Sequence, residues 1–210
     1  MNNNGILVVI SGFSGAGKGT LVKKLLADYD NYALSISMTT RKSREGEEDG
    51  VHYFFVDHEK FEKTIAEDGL LEYASYCGNY YGTPKAYVEE MISKGKDVIL
   101  EIEVQGALQI KKKYPNSLLL FVTPPSAQNL YDRLKGRNTE TEEQINKRIS
   151  RAVEEADWIE KYDFLVINDT LDECVKNLND MITAAHYSPD RQQELIHKLK
   201  EDLDLISKGE

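Results

Sequence analysis

A short glycine-rich run near the start of the chain contains one lysine and could bind a phosphate group. The run, called the phosphate loop below, reads Gly12-Phe13-Ser14-Gly15-Ala16-Gly17-Lys18-Gly19-Thr20; it follows the apolar stretch Ile6–Ile10 and precedes a helical pattern. Glycines let several backbone N–H groups converge on one anion, and the helix N-terminus adds a partial positive charge. Lys18 can then reach the β- and γ-phosphates of a nucleotide. A glycine-rich turn that contains a lysine by chance is the alternative, and the strand–loop–helix context disfavours it.

The residue after the lysine departs from the common pattern of such loops. Ser or Thr usually stands there and helps to hold Mg²⁺, but here it is Gly19, with Thr20 next. Thr20, a water molecule or the phosphate oxygens themselves could take that role, and the sequence leaves the choice open. The order Gly-Lys-Gly-Thr resembles the loops of small nucleotide kinases more than those of GTPases.

Composition limits the classes of protein to consider. The chain has 210 residues, 40% of them hydrophobic and 30% charged, and this balance is typical of one globular α/β domain. The net charge of −10 argues against a nucleic-acid partner. No apolar run approaches the roughly 20 residues that a membrane span needs. The two cysteines, Cys77 and Cys174, lie far apart, which predicts no disulfide framework and fits a reducing cytoplasm.

The elements that must position the phosphate loop alternate between apolar strands and helices. Strands are predicted at Asp97–Ile102, Ser117–Val122 and Phe164–Ile167, and helices at Gly106–Lys113 and Leu171–Ala185. Continuous apolar strands separated by helices indicate a parallel sheet covered on both faces, the three-layer arrangement of P-loop proteins. Ligands bind at the carboxyl ends of such strands. One crevice should therefore be bordered by Gly12, Glu101, Glu103 and Asn168.

Two segments interrupt this alternation. We expect residues 1–34, 84–125 and 156–210 to form the core, residues 35–83 an inserted lobe that binds the second substrate, and residues 126–155 a lid segment. A capping-box pattern, Thr141 to Gln144, predicts a helix through Arg148 and Trp158. The tail after Pro189 has helical periodicity and is predicted to be a packing or solvated helix without chemistry.

The inserted lobe contains a cluster of arginines and tyrosines. Arg41 and Arg44 lie three apart, with Tyr53 downstream. A solvated charge run is the default interpretation of such a pair, but the planar fork of arginine matches phosphate oxygens. Further along, Glu72 precedes a tyrosine-rich run that ends at Thr83.

With these motifs, the sequence resembles guanylate kinase over nearly its whole length. The matching blocks are SGFSGAGKGT, SISMTTRKSREGEEDGVHYFF, LLEYASYCGNYYGTPK, VILEIEVQGA, RLKGRNTETEEQINKR and YDFLVINDTL. The resemblance implies transfer of the γ-phosphate of ATP to GMP, giving ADP and GDP, with Mg²⁺ as cofactor. The implied partners are thus small nucleotides, with neither nucleic acid nor membrane, and the oligomeric state is left open.

The resemblance also assigns residues to roles. The guanine base is implied to contact Ser37, Glu72, Thr83 and Glu103. The GMP phosphate is implied to contact Arg41, Arg44, Tyr53 and Tyr81. ATP is implied to contact the phosphate loop, Arg137, Asn168 and Asp169. The implied catalytic residues are Lys18, Arg41, Arg133 and Arg148. The residues that hold Mg²⁺ are left open: phosphates and water are expected to bind it, with Thr20 and Glu101 as candidate neighbours. Phe13 replaces a common Pro, and Glu101 and Glu103 replace common Asp residues.

Guanine recognition by Glu72 is also sensible on chemical grounds alone. Guanine presents N1–H and N2–H₂ donors on one edge, and one carboxylate can accept from both, whereas adenine lacks that pair. Two alternatives stay open. One is a catalytically inactive guanylate-kinase-like interaction module, which the presence of Lys18, Arg133, Arg137 and Arg148 disfavours. The other is a nucleoside monophosphate kinase with a different base preference.

Overall fold

The computed structural model describes residues 5–76, 78–136 and 141–208. Two of the residues discussed above, Cys77 and Arg137, lie outside these ranges. The strands are β1 (Leu7–Gly12), β2 (Tyr32–Leu34), β3 (Met38–Thr39), β4 (Phe54–Phe55), β5 (Leu70–Tyr76), β6 (Asn79–Pro84), β7 (Asp97–Glu101), β8 (Leu118–Thr123) and β9 (Phe164–Ile167). The helices are α1 (Lys18–Asp28), α2 (His58–Ala66), α3 (Lys85–Ser93), α4 (Val104–Lys113), α5 (Ala127–Lys135), α6 (Glu142–Ala156), α7 (Leu171–Ala185) and α8 (Gln193–Lys208).

A five-stranded parallel sheet forms the centre of the molecule, in the order β2-β7-β1-β8-β9. The strand β1 lies in the middle and pairs with β7 on one side and β8 on the other. Every residue of β1 is buried, as its uninterrupted apolar sequence predicts for a strand covered on both faces. The prediction of an α/β fold with a parallel central sheet is therefore confirmed.

The two faces of this sheet carry separate hydrophobic layers. On one face, Val8 and Ile10 pack with residues of α1 and α7. On the other face, Leu7 and Val9 pack with residues of α3 and α4. Alternate residues of β1 thus point to opposite layers, as the period of a strand requires. The phosphate loop leaves β1 between these two layers.

The inserted lobe contains a second sheet, in the order β4-β3-β6-β5. The strands β5 and β6 form an antiparallel hairpin, and β3 pairs antiparallel with β6 and parallel with β4. Helix α2 begins at the cap Asp57, whose side chain accepts from the backbone N–H of Lys60. The lobe connects back to the core through α3.

The lid segment contains α5 and α6, which share a small apolar cluster of their own. The predicted capping box is present, because Thr141 and Gln144 exchange side-chain and backbone hydrogen bonds. Helix α6 ends at Ala156, however, so its expected continuation through Trp158 is wrong. A 3-10 turn at Ile159–Lys161 follows, and it redirects the chain into the parallel strand β9.

The two C-terminal helices differ in burial. Helix α7 buries five residues against α1 and the sheet. Helix α8 contains no buried residue, so the predicted tail helix is present and solvated. Within the described ranges, no helix is long and apolar enough to cross a membrane.

Candidate active site

At three positions of the phosphate loop a glycine allows a close approach, and the tightest is at Gly12, where a Cβ atom would lie 2.1 Å from the Val122 backbone oxygen. A Cβ atom on Gly15 would lie 2.7 Å from Leu134 Cδ2 of the lid segment, and one on Gly17 would lie 2.7 Å from Asn168 Nδ2. Both glycines also have positive φ angles, of 98° and 91°, which side chains disfavour. The glycines therefore allow the loop to pack directly against Leu134 of the lid segment and Asn168 after β9.

Lys18, the first residue of α1, lies across the phosphate loop. Its Nζ donates to the backbone oxygens of Gly12 at 2.7 Å and Phe13 at 3.2 Å. The ammonium group is thus already held over the anion-binding turn. Beside it, a Cβ on Gly19 would lie 3.7 Å from Glu101 Oε2, which places that carboxylate next to the loop.

Glu101 is exposed at the end of β7, but its carboxylate is partly desolvated by the surrounding protein and lies near two charges, and these shift its pKa. The desolvation raises the pKa of Glu101, the Lys18 ammonium opposes that rise, and the charge of Glu103 adds to it. Thr20, which carries a hydroxyl group, follows Gly19 in the phosphate loop and is exposed. Oxygen ligands of this kind suit Mg²⁺. In the described part of the chain, no group of three or more His, Cys, Asp or Glu side chains is arranged to hold a metal ion by itself.

The loop is supported by Asn168, directly after β9, and by Arg133 of α5. Asn168, which is buried, donates from Nδ2 to the Ala16 oxygen at 2.7 Å. Arg133 donates from Nη1 to the same oxygen at 3.3 Å and from Nη2 to the Asn168 oxygen at 2.7 Å. These bonds connect the lid segment, the loop and the end of β9. Asp169, the next residue, is exposed.

In the inserted lobe, a carboxylate and a hydroxyl lie together on neighbouring strands. The hydroxyl of Thr83 donates to Glu72 Oε1 at 2.7 Å. Burial raises the pKa of Glu72, and the Thr83 hydroxyl and backbone N–H counter part of that rise. Ser37 is half-buried directly before β3, where its backbone oxygen accepts from Phe54. A half-buried carboxylate of this kind favours a ligand that supplies N–H donors.

The arginines of the lobe are held by an acid that the sequence analysis did not single out. Arg41 donates to both carboxylate oxygens of Glu47, at 2.9 and 2.8 Å, and the backbone N–H of Arg44 donates to Glu47 Oε2 at 2.7 Å. The Arg41 guanidinium also lies 5.3 Å from the ring centre of Tyr53, which contacts the ring of Tyr81. Arg41 lowers the pKa of Glu47 to about 2.

The lid segment reaches the crevice through α6. Arg148 is half-buried on this helix, whereas Ile145 and Ala152 face the apolar cluster of the lid. Arg151, three residues further, forms ion pairs with Glu103 at 2.9 Å and Glu155 at 3.1 Å. Arg151 of the lid segment thus contacts Glu103, whose charge acts on Glu101 together with that of Lys18.

A family model described as guanylate kinase matches residues 4–185. A guanylate kinase from Halalkalibacterium halodurans is 48% identical over 197 residues, which cover 94% of this chain and 97% of the relative. One from Clostridium perfringens is 46% identical over 201 residues, covering 96% of this chain and 93% of the relative. The crystal structure of guanylate kinase from Anaplasma phagocytophilum aligns with a TM-score of 0.70 at 29% identity, covering 92% of this chain and 94% of that one.

The chain belongs to the guanylate kinase family. As a member of this family it is an ATP-dependent nucleoside monophosphate kinase, a transferase that moves the γ-phosphate of ATP to GMP and gives ADP and GDP. The match begins before β1 and ends at α7, so it spans the phosphate loop, the inserted lobe and the lid segment. Helix α8 lies beyond the family model.

The structure brings many of the residues that the sequence analysis assigned to the site together in three groups. Lys18, Asn168 and Arg133 share hydrogen bonds around the phosphate loop. Arg41, Tyr53 and Tyr81 cluster in the lobe, apart from the Glu72–Thr83 pair. Arg44 contributes its backbone, while its side chain is exposed.

Three residues that act in these groups were missed by the sequence analysis. Glu47 lies six residues after Arg41 and three after Arg44, and an acid at that spacing was the available signal. Arg151 and Glu155 lie four apart on α6, a spacing that predicts an ion pair on any helix. Phe13 also has a packing role that the sequence did not reveal, because its ring contacts Phe121 edge-on at 5.0 Å and touches the lid cluster.

Proposed function

We propose that phosphoryl transfer in this enzyme is divided between a donor site at the phosphate loop and an acceptor site in the inserted lobe. The donor site comprises the phosphate loop with Lys18, and Asn168, Asp169, Arg133 and Arg137 complete it. The acceptor site holds guanine with Ser37, Glu72, Thr83 and Glu103, and the GMP phosphate with Arg41, Arg44, Tyr53 and Tyr81.

The observation that carries the acceptor assignment is the pairing of Thr83 with Glu72. The Thr83 hydroxyl occupies one lone pair of Glu72 Oε1 at 2.7 Å, and a carboxylate has several more to offer. Guanine supplies N1–H and N2–H₂ to such an acceptor. Adenine would leave the half-buried carboxylate without these donors, and sites of this kind reject such analogues strongly.

Catalysis follows from positioning and charge, because phosphoryl transfer requires little covalent chemistry from the protein. Lys18 lies over the loop and can follow the β- and γ-phosphates as charge moves. Arg133 donates to the backbone oxygens of Ala16 in the loop and of Asn168 after β9, and its remaining N–H groups can donate to phosphate oxygens. Arg148 approaches from α6, so the lid segment supplies arginines from two helices.

Mg²⁺ is part of the proposal, and Thr20 and Glu101 would lie beside it. When bound, Mg²⁺ neutralises phosphate charge and orients the transferring group. The oxygen groups near the loop number too few for a protein cage, which fits an ion held largely by phosphates and water. We also propose a cytoplasmic location, since the reaction consumes ATP and two cysteines among 210 residues are typical of reducing compartments.

The experiment that tests the acceptor assignment is steady-state kinetics with GMP, AMP, CMP and UMP. We expect kcat/KM for GMP to exceed that for AMP by about 10⁴, the range of sites that hydrogen-bond a substrate group. Glu72→Gln should lower kcat/KM for GMP and narrow this ratio. The control Glu62→Gln, an exposed acid on α2, should change neither. Comparable values for AMP and GMP in the wild type would refute the assignment.

The domain division has its own test. Residues 35–83 and 126–155 should close over the nucleotides and exclude water from the transferring group. Small-angle scattering with GMP and an ATP analogue should therefore give a smaller radius of gyration than the protein alone. An unchanged radius with both nucleotides bound would contradict closure.

A further inference from the structure

Arg151 on α6 connects two carboxylates that belong to different parts of the molecule. Its Nε donates to Glu155 Oε1 at 3.1 Å, one turn further along the same helix. Its Nη2 donates to Glu103 Oε2 at 2.9 Å, at the start of α4. One planar guanidinium therefore links the lid segment to the edge of the acceptor site.

The three side chains differ greatly in exposure. The side chain of Glu155 is 7% exposed, that of Arg151 is 55% exposed and that of Glu103 is 62% exposed. The buried Glu155 fixes the direction of the guanidinium, because the Nε and Nη2 donors point along a rigid fork. Arg151 then holds the exposed partner, Glu103.

The charges around Glu155 favour the observed position of Arg151. Burial raises the pKa of Glu155, the charge of Glu103 adds to the rise, and Arg151 and Lys18 oppose it. Within the described residues, Glu155 Oε2 is buried and has no hydrogen-bond partner. Arg151 therefore lies between two acids that would otherwise repel each other.

The backbone of Glu103 is fixed while its side chain is exposed. The residue is the N-cap of α4, its backbone oxygen accepts from Ala107, and the following Val104 is buried. Fixing such a side chain in advance removes a conformational-entropy cost from ligand binding. Arg151 contacts Oε2, and the other oxygen, Oε1, retains its own lone pairs for a ligand.

We infer that Arg151 is a positioning residue for the acceptor: anchored by Glu155, it orients Glu103 toward the guanine base and so connects GMP binding to the lid segment. This inference rests on the proposed role of Glu103 in guanine binding. The connection works in both directions by linkage. GMP that orders Glu103 favours the lid position in which Arg151 reaches it, and that position favours GMP.

The first test is the kinetics of Arg151→Ala. We expect the KM for GMP to rise about fivefold, the low end of measured couplings between sites, with kcat and the KM for ATP within about twofold. Arg151→Lys should give an intermediate KM for GMP, because an ammonium lacks the fork that joins both acids. Lys147→Ala, which removes an exposed cation from the same helix, is the matched control and should leave all three constants unchanged. Melting temperatures confirm that each variant is folded.

The second test is a double-mutant cycle with Glu103→Gln, which isolates the contact itself. Glu103→Gln alone should raise the KM for GMP, and adding Arg151→Ala to it should change that KM less than about twofold. If Glu103→Gln raises the KM for GMP while Arg151→Ala leaves it unchanged, the inference fails and the proposed acceptor site stands. If Glu103→Gln alone has no effect, the role of Glu103 in the proposed function fails, and the inference fails with it. Additive effects of the two changes would also overturn the inference.

Discussion

The donor loop and the acceptor lobe hold their ligand-binding groups by different means. The phosphate loop leaves the buried strand β1, and backbone oxygens of the loop accept from Lys18, Asn168 and Arg133. The lobe relies on pairs of side chains on short strands and loops, such as Arg41 with Glu47 and Thr83 with Glu72. A loop shaped by backbone bonds is preformed, whereas a lobe held by pairs of side chains can adjust when a ligand binds, which the proposed closure requires.

The difference follows from what each of the two sites has to bind. The donor phosphates are the same for every ATP-dependent kinase, so a fixed anion cradle of backbone N–H groups serves them. The acceptor must be distinguished from other nucleotides, and discrimination requires side chains whose hydrogen bonds only one base can satisfy. Substitutions in the loop should therefore reduce turnover or donor binding, and those in the lobe should reduce acceptor binding.

The largest effect is expected for Arg148→Ala in the lid segment. An arginine supplied to phosphoryl transfer contributes about 10³–10⁵ in kcat, and its loss should change the KM for GMP much less. Steady-state kinetics test this, with Lys147→Ala on the same helix as control. A raised KM for GMP with an unaltered kcat would make Arg148 a binding residue.

Lys18→Ala should have the next largest effect. Removing one group that stabilises developing charge lowers kcat by about 10²–10³, while the melting temperature should stay close to that of the wild type. The exposed Lys23 on the same helix provides the control Lys23→Ala. Normal turnover in Lys18→Ala would show that the loop binds without catalysing.

Asn168→Ala removes a side-chain hydrogen bond that supports the phosphate loop. The Ala16 oxygen would lose the 2.7 Å bond from Asn168 and keep only the longer bond from Arg133, and one such hydrogen bond contributes about 0.5–1.5 kcal/mol. We expect a lower free energy of unfolding and a higher KM for ATP, measured by denaturant titration and kinetics. Asn177→Ala on the exposed face of α7 should change neither. An unaltered unfolding free energy would mean that the loop does not depend on Asn168.

Thr83→Val should produce the smallest effect, and this effect should be limited to the KM for GMP. Burial raises the pKa of Glu72 above its ordinary 4.5 and the Thr83 bonds lower it, so losing the hydroxyl raises it further. Because the carboxylate form accepts from guanine, the KM for GMP should rise as pH falls through this pKa. In Thr83→Val that rise should begin at higher pH, and the KM near neutral pH should increase a few-fold, as for one neutral hydrogen bond.

The pH profile of Thr83→Val is compared with that of Thr183→Val, a change at an exposed position on α7. The KM for ATP should follow the wild-type profile in both variants. If Thr83→Val shifts the profile for ATP as much as that for GMP, the acceptor site is not separate from the donor site. An identical GMP profile in the two variants would remove Glu72 from guanine binding.

The donor half of the molecule was predictable from sequence because its signals are local. The apolar run before Gly12 and the glycines around Lys18 define a strand, a loop and a helix within one short stretch. The predicted strand Phe164–Ile167 and helix Leu171–Ala185 also agree with β9 and α7. The strand β1 is buried along its whole length, and such continuous burial leaves few alternatives to a central parallel strand.

The parts that the sequence did not predict depend on long-range contacts or on a choice between equivalent charges. Arg133 bonds to Ala16, more than a hundred residues away, and no local pattern encodes that contact. Glu47 is one of several acids in a charged loop, and only the folded chain selects it as the partner of Arg41. Similarly, the end of α6 at Ala156 depends on where the chain must enter β9.

The most direct test of separate donor and acceptor construction is calorimetric titration of Glu47→Gln with GMP and with a non-hydrolysable ATP analogue. Glu47 binds both nitrogens of the Arg41 fork and the backbone of Arg44, so its neutral analogue should leave the GMP phosphate clamp misplaced. We expect the Kd for GMP to rise about tenfold, as for a misoriented positioning group, and the Kd for the ATP analogue to stay within about twofold. Glu48→Gln, its exposed neighbour, should leave both unchanged. Equal weakening of the two nucleotides in Glu47→Gln would contradict the account.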